Sequence, residues 1–446
     1  MHIGAIEKIT QNFSNGNIYF KEIEKVLKLS PAELGKRSIV LFNQQINYAK
    51  SHSPFYSAAL NAVNTSIKET TDIEQVPFTR KEDLRAAYPF GFLATSKSNL
   101  IRYGESTGTT GSPTSSFMTR GDWERNTAWV TLSLMNFFSA DDMVFIAMPY
   151  ELAFSAFDID RAFWNIGATV VPVGTLNSNC PWSRTVKMMD IVKPSVLACS
   201  PTRALRLYDI FAECGLDPKQ SKFKTLLHIG EACSQAKLRK IMKLWSTKLV
   251  TAYGTTETNT LSLPCQFGYQ HLIEDRFYFE VVDPLSGQPL NSGERGELVI
   301  TSLLSEALPL IRYRTGDIVT IHEEPCACGI PLRTMEHWGR YDESVTIGNR
   351  RILKIELEDV ILSTEGTGCY YCYSVIGNKM KILVEVTNVY KNKIAHDIRN
   401  RLFDYYGIEA EVEHTDKTLF CRAMDKMTKP GNLTHEHIIK ERGMLP

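Results

Sequence analysis

The chain has 446 residues, which is long for a single hydrophobic core, so two or three domains are expected. Its 50 lysines and arginines balance its 50 aspartates and glutamates, which excludes a general electrostatic attraction to nucleic acid or to an anionic membrane. No apolar run reaches the roughly 18 residues of a membrane-spanning helix.

The use of cysteine indicates the compartment. The ten cysteines are irregularly spaced along a long chain, which is not typical of a disulfide framework. The stretch from Met1 to Ser14 carries Glu7, Lys8 and Gln11 within its apolar pattern and lacks the apolar centre of a signal peptide. We therefore expect a cytoplasmic protein.

The first hundred residues are predicted to be helical, with apolar residues at helical spacing over Ile39–Tyr48. Beyond residue 114, short apolar runs alternate with amphipathic helical stretches. The predicted strands are Asp142–Met148, Thr169–Val173, Ser195–Cys199, Thr225–Ile229 and Lys248–Ala252. Such alternation predicts an α/β domain with a largely parallel sheet.

The pattern changes from Arg276 onward. Short strands separated by proline, glycine and aspartate turns predict an antiparallel β subdomain, with strands over Phe277–Val282, Gly296–Thr301 and Asp317–Ile321. Beyond Trp338 we predict a hairpin at Gly348-Asn349, a helix near Glu356–Leu362 and two further strand-helix units. The chain is thus divided into a large N-terminal domain, residues 1–338, and a small α+β domain, residues 339–446.

The segment from Glu105 to Thr114 is the most informative in the chain. Eight of its ten residues are glycine, serine or threonine, so it has almost no apolar surface to bury. Its backbone N–H groups and hydroxyls could bind phosphate oxygens, although the Gly-Lys-Ser/Thr ending of a Walker A loop is missing. A surface linker is the alternative.

Five further segments combine glycines with charged or hydroxyl side chains, three of them at the ends of predicted strands or at a domain boundary. They are His228–Glu231, Tyr253–Glu257, Tyr313–Asp317, Gly339–Asp342 and Lys426–Gly431. Ligand-binding residues in α/β folds follow the carboxyl ends of strands, where Tyr253–Glu257 is placed. Tyr313–Asp317 is predicted to carry its carboxylate on a tight turn.

Together with the loop, these segments resemble the adenylate-forming superfamily of acyl-CoA synthetases and adenylation domains, and most of all its phenylacetate-CoA ligase-like branch. The resemblance covers essentially the whole chain and is strongest at Ser106–Pro113, Tyr253–Glu257 and Tyr313–Asp317. It implies the adenylate-forming enzyme fold: an α/β large N-terminal domain with a β subdomain, and a small mobile α+β C-terminal domain.

The resemblance also implies a reaction in two halves. A carboxylate attacks the α-phosphate of ATP to give acyl-AMP and pyrophosphate, and an acceptor, usually the thiol of coenzyme A, then displaces AMP. Attack between two anions requires charge neutralisation and positioning more than a proton-transfer base.

The same resemblance assigns roles to residues of the nucleotide site. Glu257 is expected to hold Mg²⁺ bound to ATP, with Thr256 near the α-phosphate. Tyr253 is expected to face adenine, and Asp317 and Arg340 are expected to contact the ribose. The remaining residues expected to bind nucleotide are Ser106, Thr107, Gly108, Thr109, Thr110, Gly111, Gly230, Glu231, Gly254 and Thr255.

A lysine of the small domain is expected to clamp the carboxylate and the α-phosphate. The chain departs here from the common Ser/Thr-x-Gly-Lys pattern, so we place this lysine at Lys429, with Lys426 as the alternative. Asp342 resembles the hinge of the small domain. The end of the phosphate loop, which is often lysine, is Thr114, as is usual in the phenylacetate-CoA ligase branch.

The cysteines suggest a second site. Cys326 and Cys328 form a Cys-x-Cys turn, and Cys265 stands six residues before His271. Three thiolates and an imidazole are a complete ligand set for structural Zn²⁺. Members of the resembled branch carry such residues at matching places. The two halves are about sixty residues apart in the sequence, so four residues that never meet are the alternative.

The acid is expected to be a small aromatic carboxylic acid. Tyr150, Phe154, Phe157 and Asp158 follow a predicted strand where the resembled ligases build one wall of an aryl-acid pocket, and His228 could line the other. Ordinary core is the alternative for each.

Three functions remain open from the sequence. The first is a ligase that uses ATP/Mg²⁺ and makes an aryl-coenzyme A thioester. The second passes the acyl group to an amine, a carrier protein or a reductase, and the third is a catalytically silent nucleotide-binding relative. No nucleic acid and no membrane are expected as partners; a homodimer is one option, and the sequence leaves the oligomeric state open.

Overall fold

A computed structural model of the chain describes residues 18–106, 112–175, 178–221, 223–387, 391–427 and 433–441. Thr107, Gly108, Thr109, Thr110 and Gly111 of the predicted phosphate loop lie outside the described residues, as does Lys429.

Several α-helices start where a side chain caps the first turn. At Ser30 the side chain accepts a hydrogen bond from the backbone N–H of Glu33, the Glu33 carboxylate accepts one from the N–H of Ser30, and Pro31 occupies the first turn. In chain order the helices are α1 (Ile18–Val26), α2 (Pro31–His52), α3 (Pro54–Ala59), α4 (Lys81–Ala86), α5 (Arg120–Leu134), α6 (Ser155–Ile166), α7 (Trp182–Val192), α8 (Pro201–Glu213), α9 (Gln235–Trp245), α10 (Lys354–Leu362), α11 (Lys391–Tyr406), α12 (Lys417–Met424) and α13 (His435–Glu441).

The strands are short in the middle of the chain and longer toward its C-terminal third. In chain order they are β1 (Leu100–Glu105), β2 (Ser115–Thr119), β3 (Met143–Ile146), β4 (Thr169–Pro172), β5 (Val196–Cys199), β6 (Thr225–His228), β7 (Lys248–Thr251), β8 (Tyr253–Thr255), β9 (Asn259–Pro264), β10 (Gln270–Leu272), β11 (Phe277–Val282), β12 (Arg295–Ser302), β13 (Tyr313–His322), β14 (Thr334–Arg340), β15 (Val345–Ile347), β16 (Arg350–Ile352), β17 (Thr367–Ile376), β18 (Lys379–Val386) and β19 (Glu409–Thr415).

Five of these strands form the predicted α/β sheet, in the order β4-β3-β5-β6-β7. Strand β3 pairs in parallel with β4 and with β5. Each of the five strands falls within a range predicted from the sequence, and helices α6, α7, α8 and α9 lie between them in the chain. The observed sheet confirms the α/β prediction. The prediction succeeded because short apolar runs are typical of strands that are covered on both faces.

The antiparallel sheet is larger than predicted. It has seven strands in the order β11-β12-β13-β14-β10-β9-β8, so it begins at Tyr253 and not at Arg276. The prediction of the starting point was wrong because β8 and β10 have three residues each and carry no run of alternating apolar side chains. The Tyr253–Glu257 motif therefore opens an antiparallel hairpin, in which β8 pairs with β9.

The C-terminal region contains the predicted hairpin, in which β15 and β16 pair across Gly348 and Asn349 with Ile347 opposite Arg350. The predicted helix is α10. A three-stranded sheet follows, with β17 antiparallel and β19 parallel to the central β18. The order along the chain after α10 is strand, strand, helix, strand, helix, helix, so the two predicted strand-helix units are preceded by one further strand and followed by one further helix.

The chain forms two compact units. The first consists of Met1–Asn177, Pro194–Ala198 and Val250–His337, and the second of Ser178–Lys193, Cys199–Leu249 and Trp338–Pro446. The last segment of the second unit begins at the predicted domain boundary, but this unit also includes two segments from the middle of the chain. The division into domains 1–338 and 339–446 stays a prediction.

The core of the first unit is anchored by a buried tyrosine. Tyr56 is 1% exposed. Its hydroxyl accepts a hydrogen bond from the backbone N–H of Ile311 at 2.8 Å and lies 2.9 Å from the Thr79 hydroxyl, which donates to the carbonyl of Ile311. This network joins the N-terminal helices to the residues just before β13, so it sets where the Tyr313–Asp317 motif begins.

In the core of the second unit, helices α10 and α11 pack on the three-stranded sheet. Leu357 and Ile361 of α10, Ile398 and Leu402 of α11, and Ile382 of β18 are all buried in one cluster. Among the residues that the structure describes, no helix is both long and apolar enough to cross a membrane.

Candidate active site

The base of the predicted phosphate loop is closed by its own first and last residues. Ser106 follows β1, and Thr114 precedes β2, which pairs antiparallel with β1. The backbone N–H of Ser106 donates to the carbonyl of Thr114, and the backbone N–H of Thr114 donates to Ser106 Oγ, both at 2.9 Å. The described ends of the loop are thus held together by the hairpin from which the loop emerges.

Glu257 meets this base from the turn between β8 and β9. Its side chain is buried, and its Oε1 accepts a hydrogen bond from the Thr114 hydroxyl at 2.9 Å. The Thr114 hydroxyl also lies 3.0 Å from Ser106 Oγ, so Ser106, Thr114 and Glu257 form one cluster. The structure therefore brings two residues predicted for the site together, and it adds Thr114 between them.

A lysine that the sequence analysis missed completes this cluster. The ammonium of Lys81, in the first turn of α4, lies 3.4 Å from Glu257 Oε1. Lys81 thus gives this buried carboxylate a partner of opposite charge. Lys81 stands 176 residues before Glu257 in the chain, and no local pattern marks it.

The turn that carries Glu257 depends on Gly254. A Cβ on Gly254 would lie 2.0 Å from the carbonyl oxygen of Asn259, so no other residue fits without moving the hairpin. The hydroxyls of Thr255 and Thr258 lie 3.0 Å apart across the turn, and Thr256 is within it. The Tyr-Gly-Thr-Thr-Glu motif thus folds as a tight hairpin.

Asp317 lies in a β-bulge, not on the predicted tight turn. Strand β13 runs unbroken from Tyr313 to His322, but Glu297 of β12 pairs with Ile318 and Val299 pairs with Arg314. Three residues of β13 therefore face a single residue of β12, and the central one, Gly316, has a φ of +75°. The correction has a simple cause: Thr-Gly-Asp is a turn pattern, yet β12 keeps pairing on both sides of it.

The bulge turns the Asp317 carboxylate toward two rings. The Tyr253 hydroxyl donates to Asp317 Oδ2 at 2.7 Å, and His337 Nε2 lies 3.5 Å from Oδ1. The rings of Tyr253 and His337 are 4.6 Å apart between centroids. His337, on β14, was missed by the sequence analysis because it precedes the Gly339–Asp342 motif without being part of it.

Arg340 and Asp342 form an ion pair with each other. Arg340 Nε donates to Asp342 Oδ1 at 2.9 Å, and Nη2 donates to Oδ2 at 3.2 Å. The residue predicted to contact ribose and the residue predicted as hinge therefore belong to one local structure at the end of β14.

The His228–Glu231 segment begins at the last residue of β6 and is stabilised by a hydrogen bond between its own residues. His228 Nε2 lies 2.7 Å from the carbonyl oxygen of Glu231, and Gly230 has a φ of +85°. The Glu231 carboxylate accepts hydrogen bonds from the Thr202 hydroxyl and the Lys237 ammonium. Burial opposes ionisation of Glu231, but Lys237 and Thr202 outweigh it and lower the pKa of this carboxyl to about 2.

Among the residues predicted for the acid pocket, Phe154 shares a cavity with Glu257. It lines a cavity of about 40 Å³ together with Glu257, Arg125, Arg276 and Ser116. This volume is enough for a few water molecules. Phe154 also packs on Gly104 of β1, where a Cβ would come within 2.8 Å of its ring.

The other three aromatic-pocket candidates in the first unit are packed among themselves and their neighbours. Tyr150 donates to Asp160 and meets Phe157 edge-on, with 4.9 Å between ring centroids. Asp158 is buried and accepts a hydrogen bond from the indole of Trp123. Burial raises the pKa of Asp158 to about 6, although hydrogen bonds from Asn259 and Trp123 lower it.

The predicted metal ligands meet. The ligand atoms of Cys265, His271, Cys326 and Cys328 all lie within 4.8 Å of one another. Cys265 Sγ and Cys326 Sγ are 3.9 Å apart, close to the roughly 3.8 Å between two sulfurs on a tetrahedral Zn²⁺ with Zn–S bonds of about 2.3 Å. The alternative of four residues that never meet is therefore wrong.

The orientation of His271 also suits a metal ligand. Its Nδ1 lies 2.9 Å from the carbonyl oxygen of Leu332, so Nδ1 is the protonated nitrogen and Nε2 faces the sulfurs, 3.2 Å from Cys328 Sγ. Burial lowers the pKa of His271, which favours the neutral imidazole that binds metals. The donor set fits Zn²⁺.

Only one of the two candidate lysines is among the described residues. The Lys426 ammonium lies 2.6 Å from Glu441 Oε2, while its side chain is 70% exposed. Lys426 thus already has a carboxylate partner on α13.

Comparison with known proteins gives the family. Residues 106–303 match the family profile of the AMP-binding enzyme. The phenylacetate-coenzyme A ligase of Thermus thermophilus is 31% identical over 327 residues, which are 71% of this chain and 73% of that protein. The phenylacetate-coenzyme A ligase of Aromatoleum evansii is 27% identical over 414 residues, covering 88% and 92% of the two chains.

Solved structures agree on the fold. A 2-hydroxyisobutyryl-CoA ligase in the postadenylation state, in complex with 2-HIB-AMP, matches with a TM-score of 0.79 at 22% identity and covers 88% of each chain. The adenylate-forming enzyme fold predicted from the sequence is therefore confirmed. The chain belongs to the AMP-binding, adenylate-forming enzyme superfamily, in its branch of phenylacetate-CoA ligase-like acid–coenzyme A ligases.

Proposed function

We propose that this protein converts a small aromatic carboxylic acid into its acyl-AMP with ATP, and then into a coenzyme A thioester. The observation that carries the proposal is the buried Glu257 carboxylate, which meets the base of the Ser106–Thr114 loop through the Thr114 hydroxyl. A carboxylate beside a loop of hydroxyls and N–H groups suits MgATP, because the loop can bind phosphate oxygens while the carboxylate binds the cation.

Glu257 is the residue proposed to hold Mg²⁺, which would neutralise charge on the phosphate oxygens. The Glu257 carboxylate is paired with the Lys81 ammonium at 3.4 Å. When the carboxylate takes the cation as its partner, the Lys81 ammonium becomes available to phosphate oxygens. Glu257 and Lys81 would thus share the neutralisation of the triphosphate.

The nucleoside end is proposed to lie at Asp317. A carboxylate in a bulge, 2.7 Å from the Tyr253 hydroxyl, can accept hydrogen bonds from the ribose hydroxyls while the Tyr253 ring faces adenine. Arg340 is proposed to approach the same ribose. Thr255 and Thr256 are proposed to lie at the α-phosphate, with the backbone of Gly230 and Glu231 facing the nucleotide.

The proposed chemistry balances without an acid or base on the enzyme. In the first half-reaction an oxygen of the carboxylate bonds to the α-phosphorus, and the bond to pyrophosphate breaks. In the second, the sulfur of coenzyme A bonds to the acyl carbon, AMP leaves with the electron pair of the broken bond, and the thiol proton is released. Lys429 is proposed to neutralise the carboxylate and the α-phosphate in the first step.

The acid pocket is proposed to include Phe154, with Tyr150, Phe157, Asp158 and His228 as further wall residues. The support is the position of Phe154 on the same cavity as Glu257, since an aromatic acid must present its carboxylate near the α-phosphate and its ring to apolar side chains.

Coenzyme A is the proposed acceptor because both relatives described above are phenylacetate-coenzyme A ligases. Transfer to an amine, a carrier protein or a reductase is the alternative. None of the ten cysteines, all of which the structure describes, forms a disulfide, which suits the reducing cytoplasm proposed as the compartment.

The small domain is proposed to begin at residue 339 and to turn about Asp342 between the two half-reactions. The ion pair of Asp342 with Arg340 is consistent with a hinge that is coupled to the nucleotide, because a ribose contact by Arg340 would compete with it.

The proposal is tested by ATP–pyrophosphate exchange across a panel of aromatic acids, followed by thioester formation with and without coenzyme A. We expect exchange with at least one acid in the absence of coenzyme A, and thioester only in its presence. Exchange without any thioester would favour the other acceptors, and no exchange with any acid would favour the silent relative.

Replacing Glu257 by glutamine keeps the shape of the side chain and removes its charge. We expect the exchange rate to fall on the order of a hundredfold, about 3 kcal/mol of barrier, because the cation loses its anionic ligand. The matched control is Glu82→Gln, a carboxylate one residue after Lys81 with a 73% exposed side chain. Unchanged exchange in Glu257→Gln would remove Glu257 from the mechanism.

Cys265, His271, Cys326 and Cys328 are proposed to bind one structural Zn²⁺. Elemental analysis of protein purified without chelator should give about one zinc per chain. Cys328→Ser should lower both the zinc content and the melting temperature, because metal binding contributes to folding free energy. Cys214→Ser, a cysteine outside the cluster, should change neither. A stable, zinc-free wild-type protein would contradict the assignment.

Lys429→Ala should nearly abolish acyl-AMP formation while sparing thioester formation from supplied acyl-AMP, because the charge is needed only in the first half-reaction. Lys426→Ala should have a mild effect, since an exposed ion pair such as Lys426–Glu441 contributes little. Both half-reactions are measured for both variants. The reverse pattern would assign the role to Lys426, and full activity in both would assign it to neither.

A further inference from the structure

Arg276, in the first unit, is a buried cation. It is 9% exposed, and no carboxylate of the described residues forms an ion pair with its guanidinium. Nη1 donates to Asn126 Oδ1 at 2.5 Å and to the carbonyl oxygen of Thr260 at 3.2 Å. Both acceptors are neutral. The hydrogen bonds that replace water around this charge thus come from uncharged groups.

Three aspartates lie near enough to influence the titration of Arg276. Burial, the largest effect, and the like charge of Arg125 lower the pKa of Arg276 to about 10. The aspartates act in the opposite direction without cancelling this effect; they are Asp122, Asp158 and Asp275. A pKa of about 10 leaves the guanidinium charged at neutral pH.

Each of these aspartates is engaged by other groups. Asp122 accepts hydrogen bonds from two backbone N–H groups, at 2.9 and 3.0 Å. The indole of Trp123 donates to Asp158 at 3.0 Å. Asp275 forms an ion pair with Arg37 at 2.9 Å. A negatively charged or hydrogen-bond-accepting partner for the guanidinium would therefore have to come from outside this group of acids.

Arg276 lines the same cavity of about 40 Å³ as Glu257 and Phe154. A second guanidinium, that of Arg125, also lines it. Arg125 Nη1 donates to the carbonyl oxygen of Leu304 at 3.0 Å, and its Nε is buried without a hydrogen-bond partner in the part of the chain that the structure describes. Two positively charged side chains thus border one small space.

Ser116 adds an unpartnered hydroxyl to this cavity. The residue is 1% exposed, and its Oγ has no hydrogen-bond partner among the described residues. Buried polar groups in native proteins are nearly always hydrogen-bonded, so such a hydroxyl beside a buried guanidinium points to a ligand group. The cavity therefore offers several hydrogen-bond donors and lacks acceptors to match them.

We propose that this cavity binds a hydrogen-bond-accepting substituent, a hydroxyl or a second carboxylate, on the ring of the aromatic acid, and that Arg276 and Ser116 determine this specificity. The inference rests on the proposed function, because it places the ring of the acid against Phe154. A volume that holds a few water molecules suits such a substituent and is too small for a ring.

The donors of the cavity would discriminate between substrates by a simple rule. A site built to hydrogen-bond a substrate oxygen rejects the analogue that lacks this oxygen, because its buried donors are then left unpaired. An apolar pocket of the same size distinguishes a hydroxyl from a methyl group far less. The preference for an oxygen over a methyl group is therefore the quantity to measure.

The first experiment measures kcat/KM for ATP–pyrophosphate exchange with benzoates and phenylacetates that carry a hydroxyl, a carboxylate or a methyl group at the ortho, meta or para position. At the ring position that reaches the cavity, we expect the hydroxyl or the carboxylate derivative to exceed the methyl derivative on the order of tenfold or more. Methyl derivatives that are as good or better at every position would overturn the proposal.

The second experiment repeats this comparison in Ser116→Ala and Arg276→Met. Ser116→Ala breaks no hydrogen bond between described residues, so its melting temperature should not fall. In both variants the ratio of kcat/KM between the preferred oxygen-bearing acid and its methyl analogue should fall on the order of tenfold. If Arg276→Met does not fold, Ser116→Ala alone decides, and an unchanged ratio in that variant would overturn the proposal.

The matched control is Ser133→Ala. Ser133 is also a buried serine, but its hydroxyl donates to the carbonyl oxygen of Pro264 at 3.0 Å, away from the cavity. This variant should lower the melting temperature and leave the ratio between the two acids unchanged. An equal fall of the ratio in Ser133→Ala and Ser116→Ala would reveal a general effect of stability and contradict the role of the cavity.

Binding of the acids without ATP separates this inference from the proposed function. By isothermal titration calorimetry, the preferred oxygen-bearing acid should bind the wild type on the order of tenfold more tightly than its methyl analogue, and Ser116→Ala should remove this difference. Such binding in a protein that gives no exchange would contradict the proposed function alone. Exchange with equal affinities and equal rates for the two acids would overturn the present inference alone.

Discussion

The candidate site depends on keeping carboxylates charged while they are buried. A carboxylate removed from water is stable as an anion only when cations or hydrogen-bond donors replace the water. Glu257 meets this requirement with Thr114 and Lys81, which come from two distant parts of the chain. Asp317 accepts a hydrogen bond from the Tyr253 hydroxyl. Each of these carboxylates therefore also joins separate elements of the first unit. The contacts that prepare the site for chemistry are thus also contacts that hold the fold together.

The same requirement distinguishes buried charged side chains that are free to bind a ligand from those whose partners within the protein make them part of the fold. Glu231 has both carboxylate oxygens engaged, by Thr202 and by the buried Lys237, and this pairing outweighs burial and lowers its pKa to about 2. Its side chain therefore stabilises the loop after β6. Arg206 in the second unit is the reverse case, a buried cation. Two carboxylates, those of Glu213 and Asp425, are paired with its guanidinium.

The sequence predicted the parallel strands well because each is a short apolar run between turn residues, and such runs have few alternatives. It was less successful with the antiparallel sheet. Strands β8 and β10 have only three residues each, so their pairing is set by the neighbours β9 and β14 and not by their own pattern. At Asp317 a local turn pattern was overruled by β12, which pairs with β13 on both sides of Gly316 and so converts the turn into a bulge. In both places long-range pairing decided the structure.

The sequence by itself determined the family, the α/β architecture and the identity of the chemical groups, because the Gly/Thr loop, the Tyr253–Glu257 and Tyr313–Asp317 motifs and the Cys-x-Cys turn are local patterns. Only the tertiary structure decided which groups meet. It brought Lys81 to Glu257 across 176 residues, set His337 beside Tyr253, and gathered Cys265 and His271 with the two later cysteines. No local pattern encodes such contacts, since they arise where strands and helices that are far apart in the chain pack together and where buried charges require partners.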